Sequence, residues 1–411
     1  MKEIKRPEVL SPAGDFEKLE AAIRFGADAV YLAGKSFGMR VASDNFSVDE
    51  LKRATELVHS HGKKIYLTLN TMPHVNEYPE LRRFLGEIRG VGIDAVIVAD
   101  LGVLATVKSL LPDMEIHIST QASICSPEAA VEYAKLGASR LVLARELTLP
   151  EIKAIRDALP ERVELETFVH GAMCVSYSGR CMFTNQLTGT DANRGECKQP
   201  CRWEYKLLEV KRPDLPIPIE ENAQGTFIMS SRDMCAIELI PELIRAGVNS
   251  FKIEGRVKSA YYTAVVTNAY KMAVDAFMAD PENYRFDPAL NIELESVSHR
   301  EYCKGFYLYT PAENANLCST SGYIREKAYL ALADEDCVAG EMCRFVQRNK
   351  FFAGDRVELV SPGKLGRAMQ IEDLSDTDGN ALESAPHPGM VFYARAPFDI
   401  KKFDIIRAAN S

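Results

Sequence analysis

Hydrophobic and polar residues repeat along the first 290 residues in one recurring unit. Each unit has a short run of Val, Ile and Leu, a turn, and a longer segment in which apolar residues recur every three or four positions. The short runs are typical of strands buried on both faces, and the longer segments of amphipathic helices. Four of the junctions read GADAVYL, GIDAVIV, GASRLVL and GVNSFKI. A Gly at these junctions favours the left-handed backbone through which a chain leaves a helix.

The pattern predicts eight strands, at residues 8–11, 29–33, 64–70, 95–100, 115–120, 140–144, 163–169 and 250–254. Eight alternating strand–helix units in about 250–290 residues indicate an α/β fold with a (β/α)₈ TIM-like barrel, with an open doubly wound sheet as the alternative. We expect the barrel to span residues 1–290 and to carry a cysteine-rich insertion, residues 171–234, after strand 7. Residues 291–319 would be a connector. Short alternating stretches in residues 320–411 predict a small C-terminal all-β, barrel-like domain.

The barrel prediction also indicates where an active site should lie. Active sites of such barrels lie on the loops that follow the C-terminal ends of the strands. Polar residues stand at these positions, and Gln121 and His170 are the first candidates for a catalytic role. A structural role in a turn or at a strand end is the alternative for each of them.

Composition narrows the class of protein. The chain has 411 residues, of which 46% are hydrophobic and 26% charged, as in ordinary globular proteins. No run approaches the roughly 18 apolar residues of a membrane span, and the N-terminus shows no apolar signal segment, so we expect a cytoplasmic protein without a membrane partner. The net charge of −9 argues against sequence-independent clamping of a polyanion, although it leaves room for a local basic surface for one RNA.

The cysteines suggest a metal centre. In a reducing compartment, ten cysteines are more typical of ligands or buried thiols than of disulfides. Cys174, Cys181, Cys197 and Cys201 are separated by six, fifteen and three residues. Four thiolates can hold Zn²⁺ or an iron–sulfur cluster, and the single close pair favours a [4Fe–4S] cluster. Cys235 is an alternative fourth ligand in place of Cys201. The alternative to a metal centre is that these cysteines are buried and bind no metal.

The other five cysteines fit no ligand spacing and are predicted to be small buried residues: Cys125, Cys303, Cys318, Cys337 and Cys343.

The segment ETFVHGAMCVSYSGRC resembles the signature of the collagenase-like peptidase family, peptidase family U32. The resemblance continues through NRGECKQPCRW, MSSRDMCAIELIPELIRAGVNSFKIEGRV, LSPAGDFEKLEAAIRFGADAVYLAG, HISTQAS and QRNKFFAGDRVEL, so it covers most of the chain. The form with an appended β domain is similar to members that serve tRNA hydroxylation, the oxygen-independent formation of 5-hydroxyuridine at the wobble base. This resemblance implies an RNA-modifying enzyme with tRNA as a partner, a [4Fe–4S] cluster on Cys174, Cys181, Cys197 and Cys201, and prephenate as the source of the hydroxyl group.

Roles for other residues follow from that implied chemistry. Prephenate is a dicarboxylate, so its pocket should present cations, and the candidates are Arg40, Arg145, Lys252 and Arg256, with Arg256 the strongest. Gln121 and His170 would hold or protonate the ring hydroxyl or the target base. Candidate RNA contacts combine cations with an aromatic ring: Arg202, Trp203, Lys206, Lys211, Arg212, Arg348 and Lys350.

Two other functions remain open. The family name suggests a peptidase with a Cys-based or metal-based site, in which Cys174, four residues after His170, could form a thiolate–imidazolium pair. However, the sequence contains no H-E-x-x-H motif, and VSYSG lacks the first Gly of a G-x-S-x-G motif. The third possibility is a non-catalytic, metal-stabilised RNA-binding protein.

Overall fold

The computed structural model describes residues 4–39, 44–203, 207–209, 212–217, 230–314, 316–318 and 323–409. Three of the cations named above, Arg40, Lys206 and Lys211, lie outside the described residues, as does the side chain of Arg212. No helix in the described part of the chain is long and apolar enough to cross a membrane.

The N-terminal half alternates strands and helices. The first seven strands are β1 (Glu8–Pro12), β2 (Ala29–Ala33), β3 (Lys64–Leu69), β4 (Ala95–Val98), β5 (Glu115–Ile118), β6 (Arg140–Val142) and β7 (Glu164–Ala172). The helices between them are α1 (Phe16–Arg24), α2 (Val48–Ser60), α3 (Tyr78–Glu87), α4 (Leu101–Leu110), α5 (Pro127–Lys135) and α6 (Leu149–Ala158). Local signals set their ends: Ser47 and Glu50 form the capping box that starts α2, and Gly26 follows α1 with a φ of 98°.

A long insertion separates β7 from the last barrel strand. It contains α7 (Phe183–Thr188), the hairpin β8 (Leu207–Glu209) and β9 (Arg212–Ile217), and the short strand β10 (Asp233–Cys235). Then follow α8 (Ile240–Arg245), β11 (Ser250–Ile253), α9 (Ala260–Ala279), α10 (Ala289–Glu295) and β12 (Tyr302–Cys303).

The sheet closes as predicted. Neighbouring strands from β1 to β7 pair in parallel, and β11 pairs in parallel with both β7 and β1. The eight predicted strands are therefore the eight strands of a TIM-like barrel. Strand β10 adds antiparallel to the end of β7 and carries β12, so the sheet extends beyond the barrel beside its C-terminal mouth.

The barrel interior carries charge as well as apolar side chains. Leu10, Tyr31, Tyr66 and Ile97 form an apolar cluster separate from the helix–sheet core. Beside Tyr66, the buried Arg140 guanidinium forms ion pairs with Glu8, Glu164 and Glu166 at 2.6, 2.6 and 3.2 Å. A buried charge of this kind is stable only when it is fully paired, as it is here.

The C-terminal domain is all-β, as predicted. Its strands are β13 (Tyr329–Ala333), β14 (Met342–Gln347), β15 (Phe351–Phe352), β16 (Arg356–Val360), β17 (Arg367–Gln370), β18 (Glu372–Ser375), β19 (Ser384–Ala385), β20 (Val391–Arg395) and β21 (Ile405–Ala408). Seven of them form one antiparallel sheet. Arg407 on β21 joins this sheet to the barrel layer, since its buried guanidinium lies 2.8 Å from Glu293 of α10.

Two predictions about the remaining cysteines are wrong. Cys125, expected to be buried, is exposed just before α5. Cys337 and Cys343, expected to be unlinked small residues, form a disulfide in the C-terminal domain. Their Cα atoms lie 5.7 Å apart because the chain turns back between β13 and β14, and that distance suits a disulfide. The spacing of six residues does not reveal such a turn.

Candidate functional site at the barrel mouth

A narrow cavity of about 40 Å³ lies at the C-terminal ends of the barrel strands. Three of the four residues predicted to be catalytic, Gln121, Lys252 and Arg256, line it, together with Arg145 and Glu254. Its charged wall therefore presents three cations and one carboxylate. The volume holds about three water molecules, so a larger ligand requires side chains at the mouth to move outward.

Lys252 forms the floor of the cavity. It lies on β11, is almost fully buried, and donates a hydrogen bond to Glu166 of β7 at 2.7 Å. Its ammonium group lies 4.4 Å from the centre of the Tyr31 ring, a cation–π contact. Burial lowers the pKa of Lys252, and the charge of Glu166 opposes that change. Lys252 and Arg140 in turn hold the pKa of the Glu166 carboxyl below its usual range, against the effect of burial.

Two arginines form the walls. Arg145 donates to the backbone carbonyl of Ala172 at 2.6 Å and its guanidinium lies 3.9 Å from the centre of the Phe168 ring. Glu254 lies 3.7 Å from the same guanidinium. Arg256 is buried and donates to the backbone carbonyl of Met39, which fixes its direction. Both guanidiniums are therefore held rigidly at the mouth by backbone oxygens.

Gln121 provides a neutral polar group at the rim. It lies in a short 3₁₀ turn after β5, which Ser119 caps by accepting a hydrogen bond from the Gln121 backbone amide. Its side-chain Oε1 is buried without a hydrogen-bond partner among the described residues. A buried amide oxygen without a partner costs free energy until a donor reaches it, so Gln121 is placed to accept a hydrogen bond from a ligand.

His170 does not reach the cavity. Phe168 of β7 pairs with Lys252, but the next residue of β11, Ile253, pairs with His170, so β7 holds one extra residue at this point. Such a bulge turns the following side chain to the other face of the sheet. The His170 ring therefore lies behind the barrel wall, 3.5 Å from the hydroxyl of Tyr270 and 3.3 Å from that of Tyr302.

The surroundings of His170 keep it neutral. Burial lowers its pKa to about 3. Both ring nitrogens face tyrosine hydroxyls, whereas the Cys174 thiol is exposed. The structure thus does not bring these two residues together as the thiolate–imidazolium pair that a cysteine peptidase requires.

The four insertion cysteines share one neighbourhood. Burial raises the pKa of the Cys201 thiol, Arg202 lowers it, and negative charge on Cys174, Cys197 and Cys181 raises it. These electrostatic effects fall off with distance, so the other three thiols lie within electrostatic reach of Cys201. Within the described part of the chain, no group of three or more His, Cys, Asp or Glu side chains has the spacing of a preformed metal site. The four cysteines fit a sulfur-ligated group in number and in chemistry.

Cys235, the alternative fourth ligand, lies on β10 and is buried directly opposite His170 in the sheet. Burial raises the pKa of its thiol to about 11. The charge of Lys304 lowers that pKa, and the charge of Glu238 raises it.

The segment from Cys174 to Cys201, which we call the cysteine loop, packs against the barrel mouth. Ser123, which follows the Gln121 turn, donates to the backbone carbonyl of Ser178 at 2.7 Å. Gly179 has a φ of 77°, and a side chain there would collide with the backbone carbonyl of Gln121. On the other side of the loop, Arg194 pairs with Glu77, whose pKa it lowers to about 2.

Sequence reasoning missed Glu166, the partner of Lys252. The signal was present, because β7 reads ELETFVHGA and places a carboxylate at alternate positions of an otherwise apolar strand. Period-two alternation puts such residues on one face, here the barrel interior.

Comparisons with known proteins agree with this architecture. Residues 14–317 match the model of peptidase family U32, and residues 326–407 match that of the U32 C-terminal domain.

Several individual proteins are similar to this chain over much of its length. The tRNA hydroxylation protein P1 of Bacillus subtilis is 36% identical, with 93% of this chain and 90% of that protein covered. For the tRNA hydroxylation protein P of Escherichia coli the identity is 31%, over 96% and 95%. The Escherichia coli 23S rRNA 5-hydroxycytidine C2501 synthase is 38% identical over 67% of this chain and 40% of its own length. The chain is therefore a member of peptidase family U32.

Proposed function

We propose that this protein is a cytoplasmic iron–sulfur enzyme that forms 5-hydroxyuridine at the tRNA wobble position without oxygen, with prephenate as the source of the hydroxyl group. One observation carries the proposal. Gly179, which lies between Cys174 and Cys181, packs on Gln121 of the cavity, so the segment that joins two of the proposed ligands contacts the barrel mouth. The two relatives that match nearly the whole chain are named for tRNA hydroxylation.

Cys174, Cys181, Cys197 and Cys201 would hold a [4Fe–4S] cluster. Such a cluster supplies the electron-transfer or Lewis-acid chemistry that amino-acid side chains lack. The chain's own contribution is to hold the thiols near the cavity. Thr184 donates to the sulfur of Cys197 at 3.7 Å, and Asn193 donates to the Cys181 carbonyl at 2.9 Å. Contacts of this kind orient ligands and tune the group they bind.

The cavity residues would bind the dicarboxylate. Arg145 and Arg256 present guanidiniums whose directions are set by backbone carbonyls, and Lys252 presents an ammonium group from the floor. Arginine suits a carboxylate because its planar donors match the two oxygens. Glu254 and Glu166 offset part of this charge, which limits the repulsion among the three cations before the anion arrives.

Gln121 would orient the uncharged part of the ligand. Its unpartnered Oε1 can accept a hydrogen bond from a ring hydroxyl or from a base N–H group. His170 is neutral and enclosed by tyrosines, so we assign it a role in positioning β7 and β10 rather than in proton transfer.

Nucleoside analysis tests the proposal. Total tRNA and ribosomal RNA would be compared by mass spectrometry from cells with the protein, without it, and without it but complemented. Loss of tRNA 5-hydroxyuridine on deletion, under anaerobic growth, is expected. The same loss in cells that cannot make prephenate would support the donor. Unchanged nucleosides in every strain would overturn the proposal and leave a peptidase or a non-catalytic RNA-binding protein.

A further inference from the structure

A second group of cations lies beside the cavity. Arg202 follows the last cysteine of the insertion, Lys258 lies in the loop after β11, and Arg325 lies in the segment that leads to the C-terminal domain. Lys258 is two residues from Arg256, which lines the cavity. The group therefore includes one residue next to the last cysteine of the insertion and one close in sequence to the cavity wall.

Tyr323 joins these residues into one surface. Its hydroxyl accepts a hydrogen bond from Arg202 at 2.8 Å, and the ammonium group of Lys258 lies 4.4 Å from the centre of its ring. Arg202 and Arg325 both lower the pKa of Lys258, which places all three cations within electrostatic reach of one another. We call Arg202, Lys258, Tyr323 and Arg325 the basic patch.

Carboxylates of the described residues balance only part of the positive charge of the basic patch. None of the ion pairs among the described residues involves Arg202, Lys258 or Arg325. Asp233 raises the pKa of Lys258, but this carboxylate is already paired with Arg300 at 2.6 Å. The Lys258 ammonium group also donates to the backbone carbonyl of Ser298 at 2.8 Å. Burial first, and then the neighbouring arginines, lower the pKa of Lys258 to about 8. An arriving anion would relieve this repulsion.

Exposed aromatic rings accompany the cations. Trp203, next to Arg202, is 45% exposed, and Tyr323 is 42% exposed. Large aromatic rings beside cations are a common means of holding unpaired bases and the phosphates that join them. The chain has a net charge of −9, so most of its surface repels RNA. A local positive cluster on such a surface attracts RNA and therefore orients its approach.

We propose that the basic patch binds backbone phosphates of the RNA substrate, with Trp203 stacking on an adjacent unpaired base. The inference rests on the proposed function for its choice of RNA as the ligand. RNA held on this patch would lie across the rim of the cavity. A nucleotide next to the bound phosphates would then face Gln121 and the cysteine loop.

The test is the binding of unmodified tRNA to the full-length protein over a range of salt concentrations. Lys258→Gln combined with Arg325→Gln should weaken binding about tenfold and reduce the slope of log K against log salt by about one to two units, since two phosphate contacts are lost. Lys64→Gln with Arg162→Gln is the matched control. It removes the same charge at the opposite end of the barrel and should leave both values unchanged.

Arg325→Gln alone guards against misfolding, because Arg325 is exposed. It should reduce the slope by about one unit. A double variant that binds tRNA with wild-type affinity and slope would overturn the inference. A double variant that differs from the wild type only in forming fewer dimers would also overturn it, because the patch would then join two copies of the chain. If deletion of the protein leaves tRNA nucleosides unchanged while binding still depends on the patch, the proposed function fails and this inference stands.

Discussion

Gly179 of the cysteine loop lies directly against the backbone carbonyl of Gln121, with no room for a side chain between them. Through this contact the insertion touches the barrel mouth at the residue whose amide faces the cavity. The position of the four cysteines therefore depends on a glycine that is not itself a ligand.

Replacing this glycine should disturb the metal centre. Gly179→Ala must push the loop away from Gln121, so we expect it to bind about half as much iron as the wild type, or less, after anaerobic purification. Gly189→Ala is a matched control, since Gly189 has a similar φ of 70° but open space around it. Both changes carry the same backbone cost of about 1–2 kcal/mol. Equal iron contents in the two variants would contradict the importance of the contact.

Arg256 should be needed for activity but not for the metal. Arg256→Gln removes a cation from the cavity wall, and the loss of a charge-assisted hydrogen bond should lower tRNA hydroxylation about 100-fold. Iron and sulfide content should stay at the wild-type level because Arg256 lies on the cavity wall, where the Met39 carbonyl accepts its hydrogen bond. Arg162→Gln, at the opposite end of the barrel, should leave activity unchanged. Full activity of Arg256→Gln would count against the anion pocket.

Two cysteine variants should separate the alternative ligands. Cys201→Ala should lose most of its iron and its visible absorbance, since Cys201 lies among the other three thiols. Cys235→Ala should keep both, and only lose about 1 kcal/mol of stability from a small buried gap. Iron loss in Cys235→Ala with iron retained in Cys201→Ala would reverse the assignment.

His170 should make the fold sensitive to acid. Its pKa is about 3 in the folded protein, against an ordinary value of 6.5, so the unfolded chain takes up a proton first as the pH falls. The stability that His170 contributes is full above pH 6.5 and is lost between pH 6.5 and about 3, by up to about 1.4 kcal/mol per pH unit.

Denaturant unfolding at several pH values measures this effect. His170→Gln should be less stable than the wild type at pH 7, and the difference should shrink steadily toward pH 4. His61→Gln, at an exposed histidine, should follow the wild-type curve. A constant difference between His170→Gln and the wild type across this range would show that the pKa of His170 is the same in the folded protein as in the unfolded chain.

Several features of this protein were determined by local sequence. The eight strands and the glycines that end the helices follow from hydrophobic period and backbone conformation, which depend on near neighbours. Gln121, Lys252 and Arg256 were found because strand ends in such a barrel converge at one mouth, a property of the fold class rather than of this chain.

Tertiary structure decided the rest. Strict alternation along β7 would point His170 into the barrel with Glu166 and Phe168. A bulge set by the pairing of β7 with β11 turns it outward. The pairing of Lys252 with Glu166 and the place of Cys235 opposite His170 likewise depend on which distant segments meet. Sequence spacing measures distance along the chain, and these contacts are set by distance in space.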